Sequence, residues 1–316
     1  MAKGFSNDLI MCDTDSGYFT ISGIVKEMAE TEEDQLEVAV LLANDMAKKI
    51  NASFPQFMAD NFLVSLENGG IIQAKRESVC RRGLFKNAKK RYALHIVDDE
   101  NRRVDEIKTI GMETKRTDTP KYIQKFLERC LEIVVKEGKG ELEVREAIDI
   151  FRTTFRAMPD YAKGTPCGIS NLSNAKLRED DFNEMVADWV GMKKKSNHFS
   201  VSAGLNTNRL MDIHQEHRWD YIRDGDKIEI LYLKKNDYGI DKVALPVGVV
   251  YIPDWFKALP FDNKRHEYKL IDKKLENTLG ILGWDLSEND NFLDELFGDT
   301  PVGTRIDPSW DEEDDE

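Results

Sequence analysis

The sequence is poor in the residues that build metal clusters and covalent frameworks. Its 316 residues include only four cysteines and five histidines. Cys12, Cys80, Cys130 and Cys167 are scattered, and no two of them form a Cys-x-x-Cys pair. This spacing argues against a zinc or iron–sulfur site and indicates reduced thiols, as in a cytosol.

Long apolar segments are also absent. No apolar run reaches the roughly 20 residues that a membrane-spanning helix needs, and the N-terminus has no signal-peptide pattern. The hydrophobic content of 41% is typical of a globular protein with one large or two medium domains. We therefore expect a cytoplasmic protein.

Basic residues are outnumbered by acidic ones, 45 to 59, and the net charge of −14 argues at first against nucleic-acid binding. Residues 285–316 hold thirteen acidic residues and one basic residue, so the rest of the chain carries only −2. Residues 75–92 concentrate positive charge, with Glu77 as their one acid. Their basic residues are Lys75, Arg76, Arg81, Arg82, Lys86, Lys89, Lys90 and Arg91. The charge pattern thus predicts a basic surface on a nearly neutral body.

Two aspartates stand one residue apart near the N-terminus, between an apolar run and an aromatic run. The sequence Asp13-Thr14-Asp15-Ser16-Gly17 is typical of the turn of a β-hairpin. Such a turn projects carboxylates together, and carboxylates suit a hard divalent cation. An ordinary Asp-rich turn and a phosphatase-type aspartyl nucleophile are the alternatives. An EF-hand loop is excluded because its twelfth position would be Ile24 and not a glutamate.

Three segments together resemble the family B DNA polymerases, and in particular the T4-like bacteriophage enzymes. The first is the Asp-Thr-Asp-Ser motif at 13–16, although Met11-Cys12 replaces the family's Tyr-Gly. The second is Lys89-Lys90-Arg91-Tyr92-Ala93, which resembles the element that holds the primer end. The third comprises residues 110–114 and 119–121, which resemble the crossing from palm to thumb. The similarity extends to about Phe297.

The resemblance implies roles for particular residues. Asp15 and Asp13 are the expected catalytic carboxylates, with Asp15 as a ligand of two Mg²⁺ ions, and Glu77 is a possible auxiliary acid or a surface ion-pair partner. Primer-template DNA is expected to contact Lys89, Lys90, Arg91, Tyr92, Lys115, Arg116, Thr119 and Lys121. Lys89 to Tyr92 are expected to lie on an alternating strand, which fixes their directions. Such backbone contacts are tolerant of sequence and sensitive to salt.

Other family motifs are missing from the sequence. It lacks the Asp-x-x-Ser-Leu-Tyr-Pro-Ser motif that supplies a further metal ligand, the fingers helix that holds the dNTP, and the Asp-x-Glu proofreading motif. We therefore expect the C-terminal subunit of a split polymerase, acting with an N-terminal subunit in the host cytoplasm if the source is viral. An artificial fragment or a partial gene is the alternative. A non-catalytic processivity subunit and a phosphatase are the rival functions.

The predicted fold is α+β, with a partial palm at 1–113, a mainly helical thumb at 114–298 and a disordered acidic tail at 299–316. Helices are expected at 31–50 with a continuation to about residue 60 after a break near Pro55, at about 120–137 with a stop at Gly138, at 142–158 and at 263–279. Strands are expected at 62–66, 226–233 and 243–250, with an extended segment from 71. A palm without its partner strands has open sheet edges, so we expect poor stability in isolation.

A short acidic segment near the end resembles the peptide by which T4-like polymerases bind a sliding clamp. Phe292, Leu293, Leu296 and Phe297 have the spacing of a one-sided helical anchor. Packing on the thumb is the alternative. The family peptide lies at the extreme C-terminus, whereas nineteen residues follow Phe297 here.

Overall fold

A computed structural model of the chain describes residues 9–13, 15–175 and 197–286, with the backbone alone for Asp13. The described part is α+β, as predicted, with antiparallel sheets and packed helices. The strands are β1 Leu9–Asp13, β2 Ser16–Phe19, β3 Ser78–Phe85, β4 Tyr92–Asp99, β5 Arg102–Ile110, β6 Thr165–Gly168, β7 Lys227–Tyr232 and β8 Lys242–Pro246.

Helices make up most of the remainder. They are α1 Ser22–Met28, α2 Glu32–Phe62, α3 Lys121–Leu131, α4 Glu141–Ala157, α5 Phe199–Ile213, α6 Asp254–Lys257, α7 Asn263–Glu267 and α8 Lys273–Leu279. The π-helical turns Glu132–Lys136 and Tyr268–Asp272 extend α3 and join α7 to α8. The 3₁₀ turns are Gly69–Ile71, Glu113–Lys115, Asp160–Ala162 and Gly280–Leu282. No helix in the described ranges is long and apolar enough to cross a membrane.

The N-terminal half centres on the antiparallel sheet β3-β4-β5, whose middle strand β4 is buried along most of its length. Side chains alternate between the two faces of a strand. Tyr92, Leu94 and Ile96 therefore share one face, where they pack against the β1-β2 hairpin. On the other face, Val97 packs with α1 and α2, and Ala93 packs with the later helices.

Helix α2 begins as predicted and has the predicted continuation to about residue 60, but the predicted break near Pro55 is wrong because the helix is continuous there. The Thr31 hydroxyl accepts a hydrogen bond from the Asp34 N–H and caps the first turn. The helix passes through Pro55 and ends at Phe62, and Leu63 then adopts the left-handed conformation with φ 56°. The predicted strand at 62–66 is therefore wrong, because the helix and a turn occupy it. Gly69–Ile71 forms a 3₁₀ turn, so the extended segment begins later than residue 71.

The largest core joins the sheet to the following helices. Leu84 and Ala93 pack with buried residues of α3, α4 and α8, and the rings of Phe126 and Phe151 stack at 4.0 Å. The predicted stop at Gly138 is confirmed by its φ of +69°, which glycine adopts without strain. This core continues across residue 113, where the sequence analysis set the end of the palm.

The C-terminal half contains a second antiparallel sheet, β6-β7-β8, in addition to its helices. Strands β7 and β8 and the helical segment 263–279 confirm the predictions there, whereas β6 was not predicted. Helix α5 packs on β8, where the buried Thr207 hydroxyl accepts from the Ala244 N–H at 2.8 Å. The buried Arg152 of α4 pairs with Glu267 and Asp272, which ties α4 to the C-terminal helical segment.

Candidate metal-binding hairpin and nucleic-acid interface

The acidic turn forms the tip of a two-stranded hairpin, as the sequence predicts. Asp13 pairs with Ser16 across β1 and β2, which leaves Thr14 and Asp15 as the two connecting residues. Asp15 is exposed in the turn. Thr14 and the side chain of Asp13 lie outside the described residues. The backbone register nevertheless puts both aspartates at the same end of the hairpin.

Three aromatic rings fix the hairpin to the sheet. The Tyr18 ring lies 5.5 Å from Tyr92 and 5.8 Å from Phe85, and the Phe85 and Tyr92 rings are 5.7 Å apart. The hydroxyl oxygens of Tyr18 and Tyr92 are 3.2 Å apart, within hydrogen-bond distance. Rings at these separations contribute about 0.5–1.5 kcal/mol per pair beyond their burial. Since Tyr18 lies three residues after Asp15, this cluster restrains the acidic turn.

Glu77 lies close enough to the hairpin to affect the pKa of the Tyr18 hydroxyl. Burial, followed by the hydrogen bond with Tyr92, raises the pKa of the Tyr18 hydroxyl above its usual value. The Glu77 carboxylate adds a smaller upward contribution to this pKa, so Glu77 lies within electrostatic range of the hairpin. The neighbouring Arg76 pairs instead with the buried Asp98 at 2.5 Å. The alternative role of Glu77, in a surface ion pair within the basic segment, stays a prediction.

The basic cluster lies in the connection between β3 and β4. The prediction that Lys89 to Tyr92 alternate along a strand is wrong, because β4 begins only at Tyr92. Lys89 and Lys90 are exposed in the turn and Arg91 is half-buried. Lys90 has a φ of 58°, a conformation that is uncommon outside glycine. The exposed lysines and the Asp15 hairpin are thus linked through Tyr92, which is only 8% exposed.

A close backbone contact holds this turn in place. Gly111, at the end of β5, has a φ of +60°, and a Cβ there would meet the Lys90 carbonyl oxygen at 2.3 Å. Only glycine permits this approach. From the other side, the Lys86 ammonium donates to the Asn277 carbonyl of α8. Lys86 belongs to the predicted basic cluster. Its contact with α8 could not be predicted from the local sequence, because Asn277 lies 191 positions away.

The crossing segment at 113–121 is organised by the buried Glu113. Its carboxylate lies 2.7 Å from the Lys274 ammonium and accepts from the Thr119 hydroxyl at 3.3 Å. Burial raises the pKa of nearby Asp118, but the hydrogen bond from Arg116 and the charge of Lys274 outweigh it, and the pKa falls below its usual value. A network of this kind fixes the path of the chain from the first sheet into α3.

The four residues predicted to contact DNA here differ in accessibility. Lys115 and Lys121 are exposed, and Lys115 lies 3.6 Å from Glu128. Arg116 is half-buried and holds Asp118 at 3.0 Å. Thr119 is 2% exposed, so its side chain faces the interior. Of these four residues, the two lysines are therefore the ones whose side chains are open to a nucleic-acid backbone.

The donor set at the hairpin is chemically suited to magnesium. Carboxylate oxygens are the ligands that this cation prefers, and Asp15 presents one carboxylate to solvent. Within 9–13, 15–175 and 197–286, side chains of histidine, cysteine, aspartate and glutamate form no cluster of three or more that suits a metal. The four cysteines are present as thiols.

Comparison with known proteins identifies three relatives, all of them DNA polymerases. The chain is 26% identical over 304 residues to the DNA-directed DNA polymerase of Enterobacteria phage T4, covering 90% of this chain and 31% of that protein. It is 42% identical over 59 residues to the polymerase of Escherichia phage RB69, covering 18% and 6%. It is 26% identical over 157 residues to a DNA polymerase of Thermococcus litoralis, covering 50% and 7%.

These comparisons confirm the resemblance found in the sequence. The chain is homologous to the T4 phage DNA polymerase over nine tenths of its length and to the RB69 phage polymerase over about a fifth of it. It spans less than a third of the length of the T4 polymerase. No protein-family model matches the chain.

Proposed function

We propose that this chain supplies the metal-binding aspartates and the primer-template grip of a DNA-directed DNA polymerase. A second, N-terminal polypeptide would supply the remaining palm, the fingers and the exonuclease motifs. The observation that carries this proposal is the contact of Tyr18 with Tyr92 and Phe85, which links the acidic hairpin to the basic turn. Nucleotidyl transfer needs these two features side by side, because the primer end must meet the metal ions.

At the hairpin, Asp15 would be a ligand of both Mg²⁺ ions and Asp13 a second acidic group, with Glu77 as an auxiliary carboxylate. Bound magnesium would stabilise the negative charge that develops during phosphoryl transfer. The protein's part is to hold the carboxylates at a fixed position. The ring contacts of Tyr18 do this from three residues away.

The grip on DNA would come from two sets of cations. Lys89, Lys90 and Arg91 would contact the primer strand near its 3′ end, and Lys115 and Lys121 would follow the duplex into the thumb. Tyr92 and Thr119, which are 8% and 2% exposed, would position the lysines beside them. Contacts to phosphates carry no base code, so the grip would be independent of sequence.

Two further partners belong to the proposal. The incoming dNTP would bind where this chain meets the N-terminal subunit, since the fingers motif is not in this sequence. A sliding clamp would bind Phe292, Leu293, Leu296 and Phe297, which lie outside the described residues. The acidic residues at 299–316 also lie outside them.

The proposal is tested by mixing the purified chain with the polypeptide that carries the missing motifs and measuring primer extension. We expect extension from the mixture and none from either component. A mixture that binds primer-template without extending it would support a non-catalytic processivity subunit instead. Hydrolysis of a phosphomonoester by this chain alone would favour the phosphatase alternative.

A further inference from the structure

The end of α2 and the loop after it carry an unusual number of exposed apolar side chains. Leu63 is 95% exposed, Ile71 81% and Phe62 62%. Phe57, Leu66 and Ile72 are also exposed, and the Phe57 and Phe62 rings lie 6.1 Å apart. We call Phe57, Phe62, Leu63, Leu66, Ile71 and Ile72 the apolar shelf. Concentrated apolar exposure of this kind marks interaction sites in soluble proteins.

The described residues of the chain leave this region uncovered. In the described residues from 9 to 77, only Val25, Ala39 and Gly69 are buried. Helix α2 is 31 residues long, yet Ala39 is its one buried residue. Helices owe most of their stability to packing of an apolar face. A helix of this length therefore requires a further surface to pack against.

The shelf is nevertheless an ordered surface. Gly69 lies so close to Pro55 that a Cβ would stand 2.5 Å from the Pro55 Cα, so the loop folds tightly onto α2. The Asn51 side chain fixes the far end of the loop, donating to the Ala74 carbonyl at 2.9 Å and accepting from its N–H at 2.6 Å. Preorganisation of this kind lowers the entropic cost of binding.

Leu63 is unfavourable for the stability of the described fold in two ways. It ends α2 with a φ of 56°, where glycine or asparagine is the usual residue. Its large apolar side chain also projects almost wholly into water. Local choices that lower the stability of an isolated fold concentrate at functional sites. The leucine side chain therefore has a role that the described chain alone does not provide.

We infer that the apolar shelf is the docking surface for the N-terminal polymerase subunit. This inference rests on the proposed function. The occupant follows from the comparison, because this chain corresponds to 31% of the T4 polymerase, and the remaining two thirds of such an enzyme are the nearest source of a covering surface. Stable interfaces bury about 800 Å² per partner, and six large apolar side chains with their rim supply an area of that order.

The sharpest test replaces Leu63 by asparagine in the full-length chain. Asparagine tolerates the left-handed conformation, so Leu63→Asn is expected to raise the urea midpoint of unfolding of the isolated chain. The same change removes an apolar anchor and is expected to weaken association with the subunit that carries the missing motifs at least tenfold. A raised urea midpoint together with weaker association indicates a docking role, because replacing a structural residue would lower the midpoint.

A second variant and a control complete the experiment. Phe62→Ser is expected to weaken association to a similar extent with little change in the urea midpoint. Ile150→Ser, at a position on α4 that is 71% exposed, is the matched control and should associate like the wild type. Association is measured by sedimentation velocity, and primer extension is measured on the same samples.

The outcomes distinguish this inference from the proposed function. Unchanged association of both shelf variants, or a wild-type chain that does not associate, would overturn the docking surface. Association through the shelf without any primer extension would leave the docking surface standing and overturn the proposed function. Self-association of the chain that Leu63→Asn abolishes, with no loss of binding to the other subunit, would assign the shelf to a second copy and overturn the inference.

Discussion

Tyr18 and Tyr92 meet hydroxyl to hydroxyl, 3.2 Å apart, although 74 positions separate them in the sequence. Tyr18 belongs to the hairpin that carries Asp15, and Tyr92 is the first residue after the basic turn. The contact holds the acidic hairpin next to the basic turn. Its strength can be measured without disturbing either motif.

A double-mutant cycle on this pair is expected to give a coupling of about 0.5–1 kcal/mol in the free energy of unfolding. Tyr18→Phe and Tyr92→Phe each keep the ring contacts and remove one hydroxyl, so each should cost about 1 kcal/mol in urea unfolding. Tyr238→Phe is the control, because the Tyr238 hydroxyl contacts His214 at an exposed site. Strictly additive losses would mean that the two hydroxyls act independently.

The second prediction concerns the carboxylate of Asp15. Asp15→Asn is expected to lower primer extension by the assembled enzyme at least 100-fold, because charge stabilisation by a bound metal is worth several kcal/mol. Association between the subunits should not change, since Asp15 is exposed in the hairpin turn. Asp237→Asn, in an exposed loop, is the matched control. Full activity of Asp15→Asn would remove this residue from the metal site.

Much of the fold follows from local signals in the sequence. The helix start at Thr31, the glycine stop at Gly138 and the hairpin turn after Asp13 are all confirmed. The strand predicted at 62–66 failed because a short apolar run is compatible with a helix end as well as with a strand. Strand β6 was missed because it contains Pro166, which is tolerated there since β6 pairs only with β7.

The candidate site was less predictable than the fold. The residue types of the basic cluster were evident, but the turn at Lys90 depends on a contact with Gly111, twenty-one positions later. The buried environment of Thr119 likewise depends on Glu113 and on Lys274 of α8. Such long-range contacts set which cations face solvent, and no local pattern encodes them.

The third prediction concerns the salt dependence of primer-template binding. Each lysine that contacts a phosphate contributes roughly 0.9 to the slope of log K against log salt. Lys89→Ala and Lys121→Ala are therefore each expected to reduce the slope by about one, with similar losses on unrelated sequences. Lys49→Ala is the control, because Lys49 pairs with Asp45 on α2. An affinity that does not vary between low and moderate salt would contradict the proposed grip.

The fourth prediction concerns the clamp peptide. Deletion of residues from 291 onward is expected to abolish stimulation of processivity by a sliding clamp and to leave extension of a short primer nearly intact. The physical reason is that a one-sided apolar anchor contributes to clamp binding and not to nucleotidyl transfer. A matched control removes 299–316 only and should keep clamp stimulation. Equal loss of both activities would show instead that the segment supports the thumb.

The last prediction uses a buried histidine of the C-terminal half of the chain. His266 is 1% exposed, and its Nε2 accepts the Tyr232 N–H at 2.7 Å. Burial lowers its pKa from 6.5 to about 4, against smaller opposing effects from Asp262 and Asp160. The imidazole is therefore neutral in the folded chain, and its protonation favours unfolding.

Since the folded-state pKa is the lower one, this contribution to stability is present above pH 6.5 and is lost as the pH falls towards 4. The free energy of unfolding falls by roughly 3 kcal/mol in total, because the pKa is about 4 in the folded chain and 6.5 in the unfolded chain. Most carboxylates titrate below about pH 5, so a decline between pH 6.5 and 5 isolates the histidine. His266→Gln keeps an acceptor for the Tyr232 N–H and should flatten urea stability in that window. His214→Gln, at an exposed position, should retain the slope of the wild type. An unchanged slope in His266→Gln would show that the protons taken up on unfolding in this pH window bind to other groups.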